Sequence, residues 1–326
     1  MRKSPYIGIL VLFIVTVVVR ATVFQAKPGP AAAAPPIQAP YPYEDRSDPI
    51  LLIQSYYNAI ILRDYARAYS YWDRVPDGKS LDEFAAGFAN TDNVLAIVST
   101  LIREEGAAGT TYALVPTMLI ALHTNSGARA YVGCLTAKAS YVETDADANI
   151  AANTWFLMGD ASGFEEIALE AVDVNLLRES CNPPDSDITV DLRSNPFLLL
   201  RSYLNGVHLK DYTRAYNYWS TPPNGLGYDE FVRGYANTTD IFAAVLLPIQ
   251  FEGAAGSVYA SMKAIVIGTD FSEPPQRFYG CYVARTANAG SELALRAPFW
   301  GFNGASIRVA PDDATDIELL TTPCEL

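Results

Sequence analysis

Positive charge is scarce: 23 lysines and arginines stand against 36 aspartates and glutamates, for a net charge of −13. A surface of that sign repels phosphate backbones, which excludes nucleic acid as a partner. Histidine is scarcer still, with two in 326 residues, His123 and His208. The chain also lacks a glycine-rich phosphate loop, a nucleophile-elbow sequence and any His/Cys spacing suited to a metal, so no cofactor or metal is expected. Cysteine occurs four times and never before Cys134, which excludes a lipid-modified N-terminal cysteine. Long apolar stretches are missing as well. The run from Tyr6 to Val19 is shorter than the ~20 residues that a comfortable transmembrane helix needs.

That run still has a role. "MRK" precedes it, and Arg20, a short apolar tail and Lys27 follow. Residues 1–27 therefore read as a signal peptide or as an uncleaved signal anchor, with Arg20 snorkelling in the second case. Both readings place the remainder outside the cytoplasm, secreted or held by a single membrane pass. Residues 28–47 are rich in proline and alanine, a composition that builds an extended, semi-rigid spacer and no core.

Beyond the spacer the chain repeats itself. "RDYARAYSYW" from Arg63 to Trp72 returns as "KDYTRAYNYW" from Lys210 to Trp219, 147 positions later. At the same offset, without a gap, Pro49 matches Pro196, Asp82-Glu83 match Asp229-Glu230, "EGAAG" at 105–109 matches 252–256, and Cys134 matches Cys281. This predicts duplication of a whole domain, with domains at 48–181 and 195–326 joined by a short polar linker at 182–194. The period is too long for a solenoid. Four cysteines allow three pairings; the duplication favours Cys134 with Cys181 and Cys281 with Cys324, as an exported chain permits, and free buried thiols are the other reading.

Within each copy, helices precede strands. Asp48-Pro49 and Asn195-Pro196 supply an N-cap and a proline at the first helical position, and apolar residues follow at 53, 56, 57, 60 and 61. Asp64 and Asp211 look like caps of a second helix, on which Tyr65, Ala68, Tyr69 and Trp72 fall at i, i+3, i+4 and i+7. "SLDEFAAGF" has the Ser80/Glu83 spacing of a capping box. After Asn90, "VLAIVSTLI", "TTYALVPTMLIALH" and "ARAYVGCLTAKAS" read as strands, with "EEGAAG" and "TNSG" as the turns of an antiparallel meander. A last strand is expected near Trp155 to Met158 and near Phe299 to Val309. Helices placed before an antiparallel sheet make each copy an α+β domain.

A long helix, a short helix with "DYxxAYxYW", a third with "DEF" and then a curved antiparallel sheet resemble the NTF2-like superfamily, the cone-shaped fold of ketosteroid isomerase and SnoaL-like proteins. With the export segment and the tandem copies, the chain looks more like NTF2-like domains of bacterial envelope proteins than like the cytosolic enzymes. The resemblance covers about 48–181 and 195–324. It implies two cones, each with a mouth between helices and sheet, and a superfamily that holds isomerases, dehydratases and many domains without catalysis.

Candidate chemistry is thin against that expectation. His123 aligns with Asp270 and His208 replaces Ile61, so neither histidine recurs and no duplicated histidine site exists. Asp82-Glu83 and Asp229-Glu230 recur, but a first helical turn explains them by capping and the helix dipole. Asp64 with Arg67, and Asp211 with Arg214, have the spacing of pairs on one helix face. "DADAN" at 145–149 begins like a calcium loop, yet Ile150 stands where glycine is needed and Phe156 where a bidentate glutamate is needed, so it is read as a solvated loop. The aromatic residues remain. Tyr57, Tyr69, Trp72, Phe84, Phe88 and Tyr112 in the first copy, with His208, Tyr216, Trp219, Phe231, Tyr235 and Tyr259 in the second, are the candidate pocket lining. At helical spacing, core packing is the competing account. The expected function is a non-catalytic, extracytoplasmic binding or interaction module, whose partner is an envelope protein or a small apolar ligand. An acid–base enzyme active in one copy is the alternative.

Overall fold

Each half of the chain opens with a capped, almost wholly buried helix. Asp48 accepts from the Ile50 N–H at 2.8 Å, and Asn195 from the Leu198 N–H at 2.8 Å, each just before a proline. The helices that follow pack all but a few residues inside. In a computed structural model, residues 43–107, 109–140, 154–182, 188–222, 225–254, 256–271, 274–287 and 299–324 are described, and they lie in one unit spanning Pro40–Leu326. The apolar run at 6–19, the spacer up to residue 42 and the 145–149 loop fall outside them. Among the described residues no helix is long and apolar enough to cross a membrane.

The first half contains α1 (Pro49–Ile61), α2 (Tyr65–Ser70), β1 (Trp72–Arg74), α3 (Leu81–Gly87), β2 (Thr91–Ser99), β3 (Arg103–Ala107), β4 (Thr110–His123), β5 (Gly127–Ser140), β6 (Trp155–Met158) and β7 (Gly163–Ile167). The second half contains α4 (Pro196–His208), α5 (Tyr212–Tyr216), α6 (Tyr228–Tyr235), β8 (Thr238–Ala254), β9 (Ser257–Asp270), β10 (Gln276–Ala287), β11 (Gly301–Val309) and α7 (Asp316–Thr321). All eleven strands form one sheet in the order β1-β6-β5-β4-β2-β8-β9-β10-β11, with β3 also on β4 and β7 also on β5. The fold is α+β with a large mixed sheet. The ladders are antiparallel except for the short β1–β6 contact.

Three local expectations change. Trp72 is not helical: α2 stops at Ser70, and Trp72 enters β1, where the Tyr71 carbonyl accepts from the Leu157 N–H at 2.8 Å. "EGAAG" is mostly strand rather than turn, since β3 runs to Ala107 and β8 to Ala254. Gly109 and Gly256, at φ +79° and +78°, supply the reversal that L-residues resist. The last strand of the first half is broken into β6 and β7, whereas β11 is continuous with an irregularity opposite Val283/Ala284.

The halves meet through β2 and β8. In that ladder Val98 faces Val245, the residues that the 147-position spacing equates, so the pairing is self-complementary about that point. The flanking contacts follow the same rule. Gln54 of α1 brackets Ile249, receiving its N–H at 2.9 Å and donating to its carbonyl at 3.4 Å. Arg201, at the equivalent place on α4, donates to the carbonyl of Ile102 at 2.7 Å and pairs with Glu104. Helices cover one face of the sheet over a core that runs across both halves. On the other face a second core lies under α7 and the 3₁₀ turn at Val174–Arg178.

Disulfides Cys134–Cys181 and Cys281–Cys324 pin those C-terminal segments to β5 and β10, with Cα separations of 5.2 and 5.7 Å. Each closes a loop of more than forty residues, for which chain entropy allows roughly 4 kcal/mol. Gly133 and Gly280 precede the cysteines because a Cβ there would fall 2.0 Å from the Gly163 carbonyl oxygen and 1.8 Å from that of Ser306.

The seam also buries Asp48, toward which the equivalent Asn195 donates. Burial pushes its carboxyl up to about 6 against the hydrogen bonds from Ile50, Asn195 and Leu51, and the Glu104 charge adds to the rise. Because the folded value exceeds the unfolded one, ionising Asp48 costs stability as pH rises from about 4 through 6, on the order of 3 kcal/mol above that window. Asp48→Asn keeps the cap, as Asn195 does. In thermal melts it should therefore be more stable than the parent at pH 7 and match it below pH 4; equal stability at both would contradict this account.

Candidate functional site

The repeated decapeptide is mainly scaffold, and nearly every polar atom in it is used twice. Arg63 and Lys210, both at φ +58°, turn the chain out of the first helix into the next. Asp64 and Asp211 cap α2 and α5, accepting from the Arg67 and Arg214 N–H groups. Arg67 then binds Asp64 at 3.0 Å, Asn58 at 3.1 Å and the Tyr43 carbonyl at 2.7 Å. Arg214 binds Asp211 at 2.9 Å, Asn205 at 3.0 Å and the Val190 carbonyl at 2.6 Å. The i,i+3 pair thus fastens the segment leading into each half against its long helix.

The tyrosines follow suit. Tyr65 and Tyr212 donate to the carbonyls of Phe88 and Tyr235, and Tyr69 and Tyr216 to those of Lys79 and Leu226. Ala215 is small because α4 passes it at Gly206, where a Cβ would meet the Ala215 Cβ at 3.1 Å. What this scaffold leaves over is the indole N–H of Trp72 and of Trp219. Both are buried and lack a correctly aligned partner among the described residues. Each is drawn toward a tyrosine hydroxyl, Tyr56 or Tyr203, without reaching hydrogen-bond geometry.

Those tryptophans belong to two interior aromatic clusters between helices and sheet. In the first half, Tyr56 lies 4.9 Å from Tyr57 and 5.4 Å from Trp72, ring to ring, while Tyr69, Phe84 and Phe88 pack in turn at 5.6 and 5.1 Å. In the second, Tyr203 is the hub, with Trp219 at 5.6 Å, Phe302 at 5.4 Å, Phe231 and Tyr282 at 6.4 Å and Tyr235 at 6.5 Å. The Tyr203 and Tyr235 hydroxyls are 2.7 Å apart. Burial drives the phenols of Tyr56, Tyr57, Tyr203, Tyr235 and Tyr282 upward, so all stay protonated near neutrality. They can donate hydrogen bonds but cannot act as bases at that pH.

The sequence-derived lining is therefore partly gathered. Tyr57, Tyr69, Trp72, Phe84 and Phe88 share the first interior, and Tyr216, Trp219, Phe231 and Tyr235 the second. Tyr112 and Tyr259 do not join them, because their neighbours Ala113 and Ala260 face the interior and strand side chains alternate. His208 ends α4 with its Nδ1 3.2 Å from Asp240, while Arg178 of the first half takes the other Asp240 oxygen and stacks on Phe242 at 4.6 Å. Asp240 sits next to interior-facing Ile241, so this cluster clamps the two halves on the opposite face. Tyr56, Tyr203 and Tyr282 were missed by the sequence reading. Tyr56 and Tyr203 were there to find, one turn before Ile60 and Val207 on the apolar stripe, while Tyr282 is hidden in a strand next to Cys281.

The interiors hold no acid–base pair: among the described residues the only buried carboxylates are Asp48, at the seam, and Asp316, on the other face. Asp316 accepts from the Val174 N–H at 2.7 Å and from Arg277 at 2.8 Å. No group of three or more metal-ligating side chains occurs among the described residues.

No protein-family model matches the chain. No curated protein matches it either. Among solved structures it is similar to a protein titled "Putative Scytalone Dehydratase" from Novosphingobium aromaticivorans, at 10% identity and a TM-score of 0.27, over 39% of this chain and 91% of that one. At that score the likeness carries no fold assignment.

Arg214 offers the sharpest check on the scaffold. Its truncation leaves the Val190 carbonyl without this donor and removes one of the hydrogen bonds to each of Asp211 and Asn205, which keep those from the residue 214 and Val190 N–H groups. Arg214→Ala should cost about 2 kcal/mol in urea unfolding. Lysine cannot reproduce the fork, so Arg214→Lys should recover less than half of that loss.

Proposed function

We propose that the chain is an extracytoplasmic, non-catalytic binding or protein-interaction module built from duplicated NTF2-like domains and secreted or tethered by its N-terminal segment. The observation that carries the reading is the chemistry of the two interiors: phenols kept protonated by burial, together with indoles, and no buried carboxylate or imidazole beside them among the described residues. Such a surface can hold an apolar body and orient it with a few donors. Acid–base catalysis needs a group whose pKa lies near working pH. The duplication is supported by contacts that recur at the same spacing, from the arginine ties to the seam. The two disulfides fit an oxidising compartment.

An enzyme active in one copy would use His208, the histidine of the second half, or an aspartate in the cone of one half. The contact of His208 with Asp240 and its place beside Arg178 weigh against the first of these.

Native mass spectrometry of the exported chain tests the reading. The expected result is an added mass lost on denaturation, whose released compound is returned unchanged after incubation with fresh protein. Conversion of that compound into a product would overturn the reading in favour of the enzyme. A bare mass would move the partner search to cross-linking, where a saturable protein complex is then required.

A further inference from the structure

We infer that the Cys281–Cys324 bridge is a thiol–disulfide exchange site, which takes two electrons from a dithiol and opens ahead of Cys134–Cys181. The two bridges occupy the same place, each joining β5 or β10 to the segment that ends its half. Their surroundings differ in charge. Lys263 of β9 lies directly opposite Cys281, whereas Pro116 of β4 lies opposite Cys134. On the other flank, Arg308 of β11 faces Tyr279, two positions before Cys281. Glu165 of β7 faces Val132, two positions before Cys134.

Strand side chains alternate, so these residues share the sheet face that carries the cysteines. Opposite residues have Cβ atoms about 4.5–5.5 Å apart and diagonal ones about 7–8 Å, within reach of a long side chain. Lys263, Arg308 and both cysteines of the second bridge line one cleft, edged by Thr322 and Pro323. Among the described residues no carboxylate pairs with Lys263, whose pKa is lowered by burial alone. Its ammonium is open to another anion.

Cys281 is 3% exposed and Cys324 is more open, so an incoming thiolate reaches the Cys324 sulfur. Attack forms a mixed disulfide at Cys324 and breaks the bond to Cys281, whose sulfur leaves with the electron pair as a thiolate beside the Lys263 ammonium. The second thiol of the reagent then attacks the mixed disulfide, so the reagent ends as a disulfide and Cys324 is released. The two protons of the dithiol end on the two cysteines. A neighbouring cation lowers the pKa of the departing thiol, and a lower leaving-group pKa speeds exchange. Glu165 acts in the opposite sense at the first bridge, where it repels an anion approaching Cys134, the more open cysteine of that pair. Opening the second bridge releases the segment after α7, the helix that carries Asp316, acceptor of the Val174 N–H from the first half.

Dithiothreitol tests this when added to the full oxidised chain at neutral pH, with freed thiols trapped by N-ethylmaleimide and assigned by peptide mass spectrometry. Cys281 and Cys324 should be trapped about fivefold faster than Cys134 and Cys181, or more. Lys263→Met, which keeps the apolar stem, should remove most of that lead, and Lys263→Arg should keep it. Glu165→Lys, on the exposed β7, should speed opening of the first bridge about fivefold without any change near α7. Equal opening of the two bridges, a lead for Cys134–Cys181, a lead that Lys263→Met leaves intact, or unchanged opening of the first bridge in Glu165→Lys would overturn the inference. None of these outcomes bears on the native-mass test of the binding module.

Discussion

Everything in this fold is arranged around the contact of β2 with β8. Four residue pairs suffice to join two sheets into one, because the ladder is centred on Val98 and Val245, which occupy the same place in each half. A self-complementary edge needs one set of shape constraints to satisfy both sides. Some departures from symmetry lie beside it. Gln54 stands at the position of Arg201, and Glu104, the residue that arginine binds, at the position of Phe251, which stacks on Tyr43 at 6.3 Å. Asp48 stands at the position of Asn195, so that two caps meet without two charges. These differences make the two sides of the seam complementary at a few polar positions.

With the seam fixed, the two faces of the sheet divide the work. On one, a disulfide pins the C-terminal segment of each half to its own strands, and the Arg178–Asp240 pair crosses the joint. On the other, the long helices press aromatic interiors against the strands. The repeated decapeptide serves that second face. Its charged residues fasten the lead-in segments, its tyrosines hold backbone carbonyls, and its tryptophans are left to the interior. A motif so fully spent on structure explains why it is repeated without implying that a reaction is repeated.

Much of this was legible in the residues. Caps at Asp48, Asn195, Asp64, Asp211 and Ser80, the helix-then-strand order and the cysteine pairs follow from local rules that act within a few positions or from the repeat itself. Trp72 deceived because helical spacing continues through it while the parallel contact with Leu157, which claims it for β1, is 85 positions away. The glycines of "EGAAG" suggested a turn throughout, although only the last has the positive φ that demands one. Tyr282 could not be singled out because its partners are assembled from α4, the segment after α5 and β11, and Tyr112 and Tyr259 were misplaced by one step of strand alternation. The joining of the halves left no mark on the local pattern, since β2 reads the same whether its edge is bare or paired.

Hydrogen exchange across residues 96–99 and 244–247 tests the central claim most directly. A continuous sheet predicts that amides in both segments are protected to the same degree as the middle of β4, with loss of protection only on global unfolding. Exchange of both segments at the rate of a frayed strand edge, while β4 and β9 stay protected, would mean that the halves fold as separate bodies and that no seam organises the molecule.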